Sequence, residues 1–180
     1  MYTAPPTQNV PKQAKPNVIV WILIAVIGGC GCGFCLLAAV LFPVFRQARV
    51  AAIREGCIYN VKQLSAGMLM YAADHDDGLP PAGAWMDDIA RYTRGRQDVF
   101  TCPSVRRESP GSCGYAMNLA VSVALRGAIA SGSTTPLVFD STILSRNAAD
   151  GPDSMPSPGR HGGKNTVGYV DGHVAAVQGR

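Results

Sequence analysis

The most reactive side chains of the sequence are six cysteines, three in an uncharged run and three in the more polar remainder. The second group is Cys57, Cys102 and Cys113, and an odd number of cysteines cannot close completely within one molecule. If this part of the chain lies outside the cytoplasm, we expect one disulfide and one free thiol. Of the three pairings we favour Cys57–Cys102, and the other two stay open.

Histidine and aspartate residues near the C-terminal end could form a metal site or a catalytic pair. They are His161, Asp171 and His173. Successive positions of a strand face opposite ways, and aspartate suits a turn whatever else it does. We therefore favour structural roles, with His161 at the entry to a hairpin. A metal hydrolase that uses His161 and His173 is the alternative.

A third group is acidic. Asp74, Asp76 and Asp77 precede Gly78 and offer closely spaced oxygen ligands, which calcium prefers. The distal glutamate of an EF-hand loop does not follow, so we favour a solvated loop at a helix end. The sequence contains no nucleophile elbow, phosphate loop or zinc-protease motif. These observations favour a protein without enzymatic activity.

The elements that position these residues begin with an uncharged run, residues 18–45, after a polar tail, residues 1–17. As a helix the run would be about 42 Å long, against about 30 Å for the hydrocarbon core of a bilayer. We predict a single transmembrane helix there. Gly29 and Gly33 would form a face for packing against another helix. Cys30 follows a small residue, and its lipidation, as in a lipoprotein, is an alternative.

Beyond this run, apolar residues recur at helical spacing from Val50 to Tyr71. We predict that the helix continues amphipathically through residues 46–73 and buries this stripe. A kink is expected near Pro43, because proline removes a backbone hydrogen bond and clashes with the preceding turn.

The remainder, residues 74–180, is predicted to be one small α+β domain. The mostly apolar run Leu137–Asp140 predicts a strand. Two further runs of strand-forming residues, 166–170 and 173–177, flank Asp171-Gly172. This pattern predicts a hairpin with a type I′ turn. A small sheet needs a cover on one face. We therefore predict a small antiparallel sheet packed against the amphipathic half of the long helix.

The charge of the chain excludes one class of partner. The net charge of +4 is mild, and no basic run carries interleaved aromatic residues. We therefore expect no nucleic acid as a partner.

Several motifs follow one another in a recognisable order: residues 41–49, 57–64, 70–76, 79–80 and 99–104, and then His161, nine further residues and Asp171-Gly172. In this order they resemble bacterial type IV pilin-like proteins and the pseudopilins of type II secretion. The last motif is similar to the C-terminal signature of a large subclass with prepilin-type N-termini. The resemblance implies a pilin-like fold and a non-enzymatic, membrane-anchored structural subunit of a secretion or pilus-like assembly.

The resemblance also implies a location, partners and a cofactor. The chain would cross the bacterial cytoplasmic membrane once, with its C-terminal domain outside the cytoplasm. Its partners would be membrane lipid and, through the N-terminal helix, other pilin-like subunits or further copies of itself. Some pseudopilins bind calcium in a loop near the sheet. The acids placed to do so in this sequence are Asp140, Asp150 and Asp153.

The N-terminal end departs from the pilin pattern. Pilin-like proteins usually begin the apolar segment with Gly-Phe-Thr-Leu-x-Glu, where the glycine marks cleavage and the glutamate aids assembly. Counted back from Pro43, the positions of the glycine, phenylalanine and glutamate are Trp21, Ile22 and Val26. We therefore expect an unprocessed single-span protein. A membrane-tethered or lipidated extracytoplasmic binding module that does not polymerise is the alternative.

Overall fold

The structure is a computed structural model that describes residues 17–179, without the side chains of residues 23–36. It divides into two compact units, residues 1–45 and residues 46–180. The predicted polar tail, up to residue 16, lies outside the described residues. The predicted packing face of Gly29 and Gly33 and the alternative of lipidation at Cys30 also lie outside the described part of the chain, because they depend on side chains of residues 23–36.

Helix α1, Val18–Asp74, continues through Pro43 without interruption. In the first unit its large apolar side chains with a described position are exposed to solvent, among them Trp21 and Leu37. Within the described residues, no helical segment has both the length and the apolar character that crossing a bilayer requires. The kink near Pro43 stays a prediction.

The part of α1 that belongs to the second unit buries one face from Cys57 onward, whereas Val50, at the start of the stripe predicted to be buried, is 57% exposed. The helix ends at Asp74, one residue beyond the predicted segment 46–73. The apolar residues of the buried face recur at intervals of three or four and so share one side of a helix. These residues are fully buried: Cys57, Val61, Leu64, Met68 and Ala72.

The helix packs on a five-stranded sheet, which confirms the predicted α+β class. The strand order is β3-β1-β2-β4-β5. The strands are β1 (Tyr115–Asn118), β2 (Pro136–Asp140), β3 (Ala149–Asp150), β4 (Lys164–Tyr169) and β5 (Val174–Gln178). Strand β2 confirms the strand predicted from Leu137 to Asp140, with one more residue at its start.

The predicted antiparallel sheet is wrong in one respect, because β3 pairs parallel with β1 and the sheet is therefore mixed. The other three pairings are antiparallel. After β2 the chain turns back and places β3 on the far side of β1. Strand β3 has two residues, which is too short to show the alternation by which a sequence reveals a strand.

The predicted hairpin between β4 and β5 is present, but its turn differs from type I′. The Gly172 N–H donates to the Tyr169 carbonyl over 2.9 Å, and the Tyr169 N–H donates to the His173 carbonyl over 2.9 Å. A type I′ turn needs positive φ at both central residues. Within the turn only Gly172 has positive φ, at +93°, as in a three-residue loop that ends in a glycine bulge.

Of the two hydrophobic clusters among the described residues, the larger lies between α1 and the sheet, and the smaller, around Phe139, includes no residue of α1. Two short helices, α2 (Trp85–Asp88) and α3 (Pro103–Glu108), add buried side chains to the larger cluster. Strand β4 contributes a close approach, since a Cβ built on Gly168 would collide with Ser65 Oγ and lie 3.1 Å from Val61 Cγ1. Glycine at this position therefore allows the helix to lie directly against the strand.

Candidate functional site

Four potential ligand residues from four separate segments meet in the interior of the second unit. Cys57 lies on α1, Cys102 immediately precedes α3, Asp140 ends β2 and His161 lies in the turn before β4. One donor atom from each lies within 4.8 Å of the others. Among the described residues, this is the one convergent group of three or more His, Cys, Asp or Glu side chains. We call it the buried cluster.

Local structure explains the position of Cys102. The residue is extended, with φ −62° and ψ 127°, and Pro103 begins α3. Proline suits the first turn of a helix, where its missing N–H would have no intrahelical partner. The Cys102 N–H donates to the Cys113 carbonyl over 2.8 Å. These constraints direct the Cys102 side chain inward, against the buried face of α1.

The two sulfurs of the cluster are close neighbours. Cys57 Sγ lies 2.8 Å from Cys102 Sγ, and both residues are thiols in the structure. A hydrogen bond from Cys57 lowers the pKa of Cys102, against the opposing effect of burial, and His161 adds to the lowering. The same bond, together with burial, raises the pKa of Cys57. The pair predicted as a disulfide is thus brought together, while the covalent bond itself stays a prediction.

His161 lies between a sulfur and a carboxylate. Its Nε2 is 3.7 Å from Cys102 Sγ and 3.4 Å from Asp140 Oδ2. Its Nδ1 is 3.4 Å from Ser104 Oγ. Burial alone would lower the pKa of the imidazole, but the interactions with Asp140 and Cys102 outweigh it and raise the pKa to about 9. Every polar atom of this ring therefore faces a potential partner.

Asp140 is fully buried and has one satisfied oxygen. Its Oδ2 accepts a hydrogen bond of 2.6 Å from the Thr166 N–H. Its Oδ1 has no hydrogen-bond partner among the described residues and lies 3.8 Å from an Arg160 guanidinium nitrogen. Arg160 donates to the Gly114 carbonyl over 2.9 Å and to the Ser141 carbonyl over 2.7 Å. The arginine is thus held near the carboxylate as a counter-charge without bonding directly to it.

The residues predicted to bind calcium do not form one site. Asp140 faces the sulfur and imidazole donors of the buried cluster, which contains neither Asp150 nor Asp153. Asp150 Oδ1 accepts a hydrogen bond of 2.8 Å from the Gly151 N–H. Asp153 lies in the short 3₁₀ turn Pro152–Ser154. The structure therefore groups Asp140 with softer donors than calcium prefers.

The residues of the C-terminal signature occupy two separate places. His161 belongs to the buried cluster, whereas Asp171 and His173 lie in the hairpin turn. Asp171 Oδ1 is 2.6 Å from His173 Nδ1, and Gly172 supplies the positive φ of the turn. His161 and His173 are not members of one group, so the geometry gives no support to a hydrolase that uses both.

Asp74 is the last residue of α1, and Asp76 and Asp77 lie in the turn that follows it, as the sequence suggests. Asp74 Oδ2 accepts a hydrogen bond of 2.7 Å from the Tyr92 hydroxyl. Asp77 accepts hydrogen bonds of 2.8 Å from Arg126 and from the Gly127 N–H. These carboxylates are occupied by protein donors.

Sequence reasoning assigned the four residues of the buried cluster to three different roles. Cys57 and Cys102 were expected to form a disulfide, Asp140 to bind calcium and His161 to start a hairpin. Cys57 and Cys102 are 45 positions apart, and Cys102 and His161 are 59 apart. No local spacing signals such a group, because it exists only after the strands have paired and α1 has covered them.

The donor set of the buried cluster suits two kinds of chemistry. Two adjacent thiols can form a disulfide, and two thiolates with an imidazole and a carboxylate can bind a transition metal. Exposure is 0% for Cys57, Cys102 and Asp140 and 6% for His161. A substrate could not reach these atoms in this conformation, so the arrangement favours a structural site over a catalytic one.

Comparison of the chain with protein-family models, with curated proteins and with solved structures found no match.

Proposed function

We propose that this chain is a non-enzymatic, membrane-anchored, pilin-like structural subunit. The first part of α1 would lie in the bacterial cytoplasmic membrane, with the domain of residues 74–180 outside the cytoplasm. One observation carries the proposal, namely the exposure of large apolar side chains along the first part of α1. These residues include Val18, Ile19, Trp21, Ile22, Leu37, Val40, Val44 and Phe45.

The two parts of α1 differ in the exposure of their apolar side chains. Beyond residue 56 the helix buries one apolar stripe against its own domain. In the first unit the large apolar residues with a described side chain are 41–68% exposed, for example Val40, Val44 and Phe45. A helix that is apolar on all sides is stable in a large core or in lipid, and not in water. The environment that suits these exposed apolar side chains is lipid, together with the helices of neighbouring subunits.

The described contacts of the domain support a structural role. The buried cluster has no access for a substrate, and the carboxylates of Asp74 and Asp77 accept hydrogen bonds from protein donors. The order of motifs that resembles pilin-like proteins also supports an assembly subunit. Its partners would be membrane lipid and pilin-like helices, including further copies of this chain.

A charge placed in the helix tests the membrane anchor. Leu37 and Val50 have almost equal exposures, 56% and 57%, but Leu37 lies in the proposed span and Val50 lies beyond it. Arginine near the centre of a membrane helix costs about 2.5–3.5 kcal/mol on insertion. We expect Leu37→Arg to reduce the membrane fraction of the full-length chain after alkaline extraction, and Val50→Arg to leave it unchanged. Wild-type protein that is extracted completely would refute the anchor.

A second candidate, a membrane-tethered or lipidated binding module that does not polymerise, rests on a specific observation. Trp21, Ile22 and Val26 stand where pilin-like proteins have the cleavage glycine, the phenylalanine and the assembly glutamate. The intact mass of membrane-extracted protein separates the possibilities. An unmodified N-terminus fits the unprocessed anchor, a diacylglyceryl mass at Cys30 fits the lipoprotein, and a truncated, methylated N-terminus fits prepilin processing.

A further inference from the structure

We propose that Cys57, Cys102, Asp140 and His161 bind one divalent transition metal ion, with zinc as the first candidate. The site would be structural and would join α1 to the sheet and to the turn before β4. This proposal concerns the interior of the second unit and does not depend on the proposed membrane anchor.

Two distances in the buried cluster match a tetrahedral zinc site. Bond lengths of about 2.3 Å to sulfur and about 2.0–2.1 Å to nitrogen or oxygen give donor separations of about 3.5 Å for S···N and about 3.3 Å for N···O. The observed distance from Cys102 Sγ to His161 Nε2 is 3.7 Å, and His161 Nε2 to Asp140 Oδ2 is 3.4 Å. The second distance is too long for a good N–H···O hydrogen bond but fits two ligands of one ion.

The distance between the sulfurs is one that must change when a metal ion binds. Cys57 Sγ and Cys102 Sγ are 2.8 Å apart, whereas two thiolates on one zinc ion are separated by about 3.8 Å. Metal binding therefore requires an increase of about 1 Å. Closure to a disulfide requires a decrease of similar size, to about 2.05 Å. The sulfur separation alone does not choose between the two states, so the other two donors decide.

A disulfide would use two of the four donors and leave His161 and Asp140 facing each other at 3.4 Å. A metal ion would use all four. It would also balance the charge, because two thiolates and one carboxylate carry three negative charges, the ion supplies two positive charges and Arg160 supplies the third. The Asp140 Oδ1 atom, which is buried and has no hydrogen-bond partner among the described residues, would lie beside a cation.

The surroundings resemble the outer shell of a metal site. A ligating imidazole usually has its second nitrogen bonded to oxygen, and a ligating carboxylate is itself hydrogen-bonded. The Thr166 N–H donates to Asp140, and Ser104 Oγ lies 3.4 Å from His161 Nδ1, which is longer than a good hydrogen bond but places an oxygen beside this nitrogen. Thiolate donors favour zinc and softer ions over calcium or magnesium. Four protein donors without access to solvent are typical of a structural site, which keeps no position open for a substrate.

The first test measures metal in the full-length chain, extracted in detergent and purified with reductant and without chelator. We expect about one zinc ion per chain by elemental analysis. Replacement by Co²⁺ should give the sulfur-to-cobalt charge-transfer absorption and the visible bands of tetrahedral cobalt. The cobalt spectrum reports thiolate ligation in the wild-type chain, so it remains decisive even if a variant fails to fold. Absence of zinc and of that spectrum, with the thiols reduced, would overturn the proposal.

Two variants test proposed ligands, and a third is their control. Cys57→Ser and His161→Gln should each lose the bound zinc and the tetrahedral cobalt spectrum. Cys113→Ser is the matched control, because Cys113 is a buried thiol in the same domain and lies outside the cluster. It should keep one zinc ion. Zinc retained in Cys57→Ser and His161→Gln, or lost in Cys113→Ser, would contradict the assignment.

The competing state is tested by intact mass, measured without reductant on the chain from its native host. A Cys57–Cys102 disulfide, two hydrogens lighter than the dithiol, together with an absence of zinc, would overturn the metal site and confirm the disulfide. A mass that corresponds to free thiols, with zinc present, supports the metal site.

Discussion

Two aspartate–histidine pairs of the domain have the same residue types and opposite surroundings. Asp140 and His161 are buried, with 3.4 Å between carboxylate and imidazole. Asp171 and His173 are 41% and 46% exposed and only 2.6 Å apart. We expect the closer pair to contribute less to stability, because water and salt screen charges at the surface. The energetic weight of a pair is therefore set by burial and by the surrounding groups more than by distance.

The two aspartate–histidine pairs also differ in their further contacts. Asp140 also accepts a hydrogen bond from the Thr166 N–H and balances the positive charge of Arg160. His161 also contacts Cys102. Asp171 accepts from the N–H and the ring of its near neighbour His173, within one turn. The first pair connects segments distant in sequence, and the second stabilises a local conformation.

The largest effect is expected from Asp140→Ala. It removes the charge that faces Arg160 and His161 and leaves the buried Thr166 N–H without an acceptor. Removing one partner of a buried ion pair costs about 3–5 kcal/mol in the free energy of unfolding. The measurement is urea unfolding of the full-length chain in detergent at neutral pH, with chelator and reductant, followed by near-ultraviolet circular dichroism. A loss below about 1 kcal/mol, the level of surface pairs, would remove the contrast.

The second effect concerns the close approach of α1 to β4. Gly168 lies on β4 between the two pairs in sequence, and its backbone faces Ser65 and Val61 of α1. Gly168→Ala would push the helix from the strand, at a cost of about 1–3 kcal/mol by overpacking. Thermal or urea unfolding measures this loss of stability. The result would show how far the burial of residues between α1 and β4 depends on one glycine.

Two controls accompany Gly168→Ala. Ser65→Ala removes the Oγ atom that the new methyl group would meet and which has no hydrogen-bond partner among the described residues. The double variant should therefore recover part of the lost stability. At Gly151 an added Cβ meets no atom within 4 Å, and φ is −74°, so Gly151→Ala should change little. Equal losses in Gly168→Ala and Gly151→Ala would count against the close approach.

The smallest effect is expected from Asp171→Ala. The backbone N–H of His173, and then its ring, hold the pKa of the Asp171 carboxyl below its usual value. A carboxyl with a lowered pKa stabilises the folded state above its ordinary pKa, and this contribution disappears as the pH falls through the folded-state pKa. We expect a small decrease in melting temperature at pH 7 that narrows below about pH 4. A decrease as large as that of Asp140→Ala would contradict the ranking.

The parts of the fold that were predictable depend on short-range patterns. The stripe from Val50 to Tyr71 repeats at helical spacing, and the observed helix extends to Asp74. The alternation and turn residues after residue 165 predicted the β4–β5 hairpin. The turn type was wrong because it depends on the φ of individual residues, and only Gly172 takes a positive value in this turn.

The candidate site was predictable only in fragments. Cys57 and Cys102 were chosen as neighbours, and their sulfurs are 2.8 Å apart. The expected ligand partners of Asp140 were two other acids, but its neighbours are His161 and the two sulfurs. The parallel β3 strand was missed for a related reason, since its two residues carry no pattern and their place depends on pairing with β1.

By itself the sequence determined the long helix, its change from an uncharged to an amphipathic segment, the strand before residue 141 and the C-terminal hairpin. Each follows from the periodicity or turn preference of adjacent residues, which act locally. Only the tertiary structure decided that one aspartate–histidine pair is buried beside two cysteines while the other stays in water. That difference arises from contacts between segments tens of residues apart, and local preferences do not encode them.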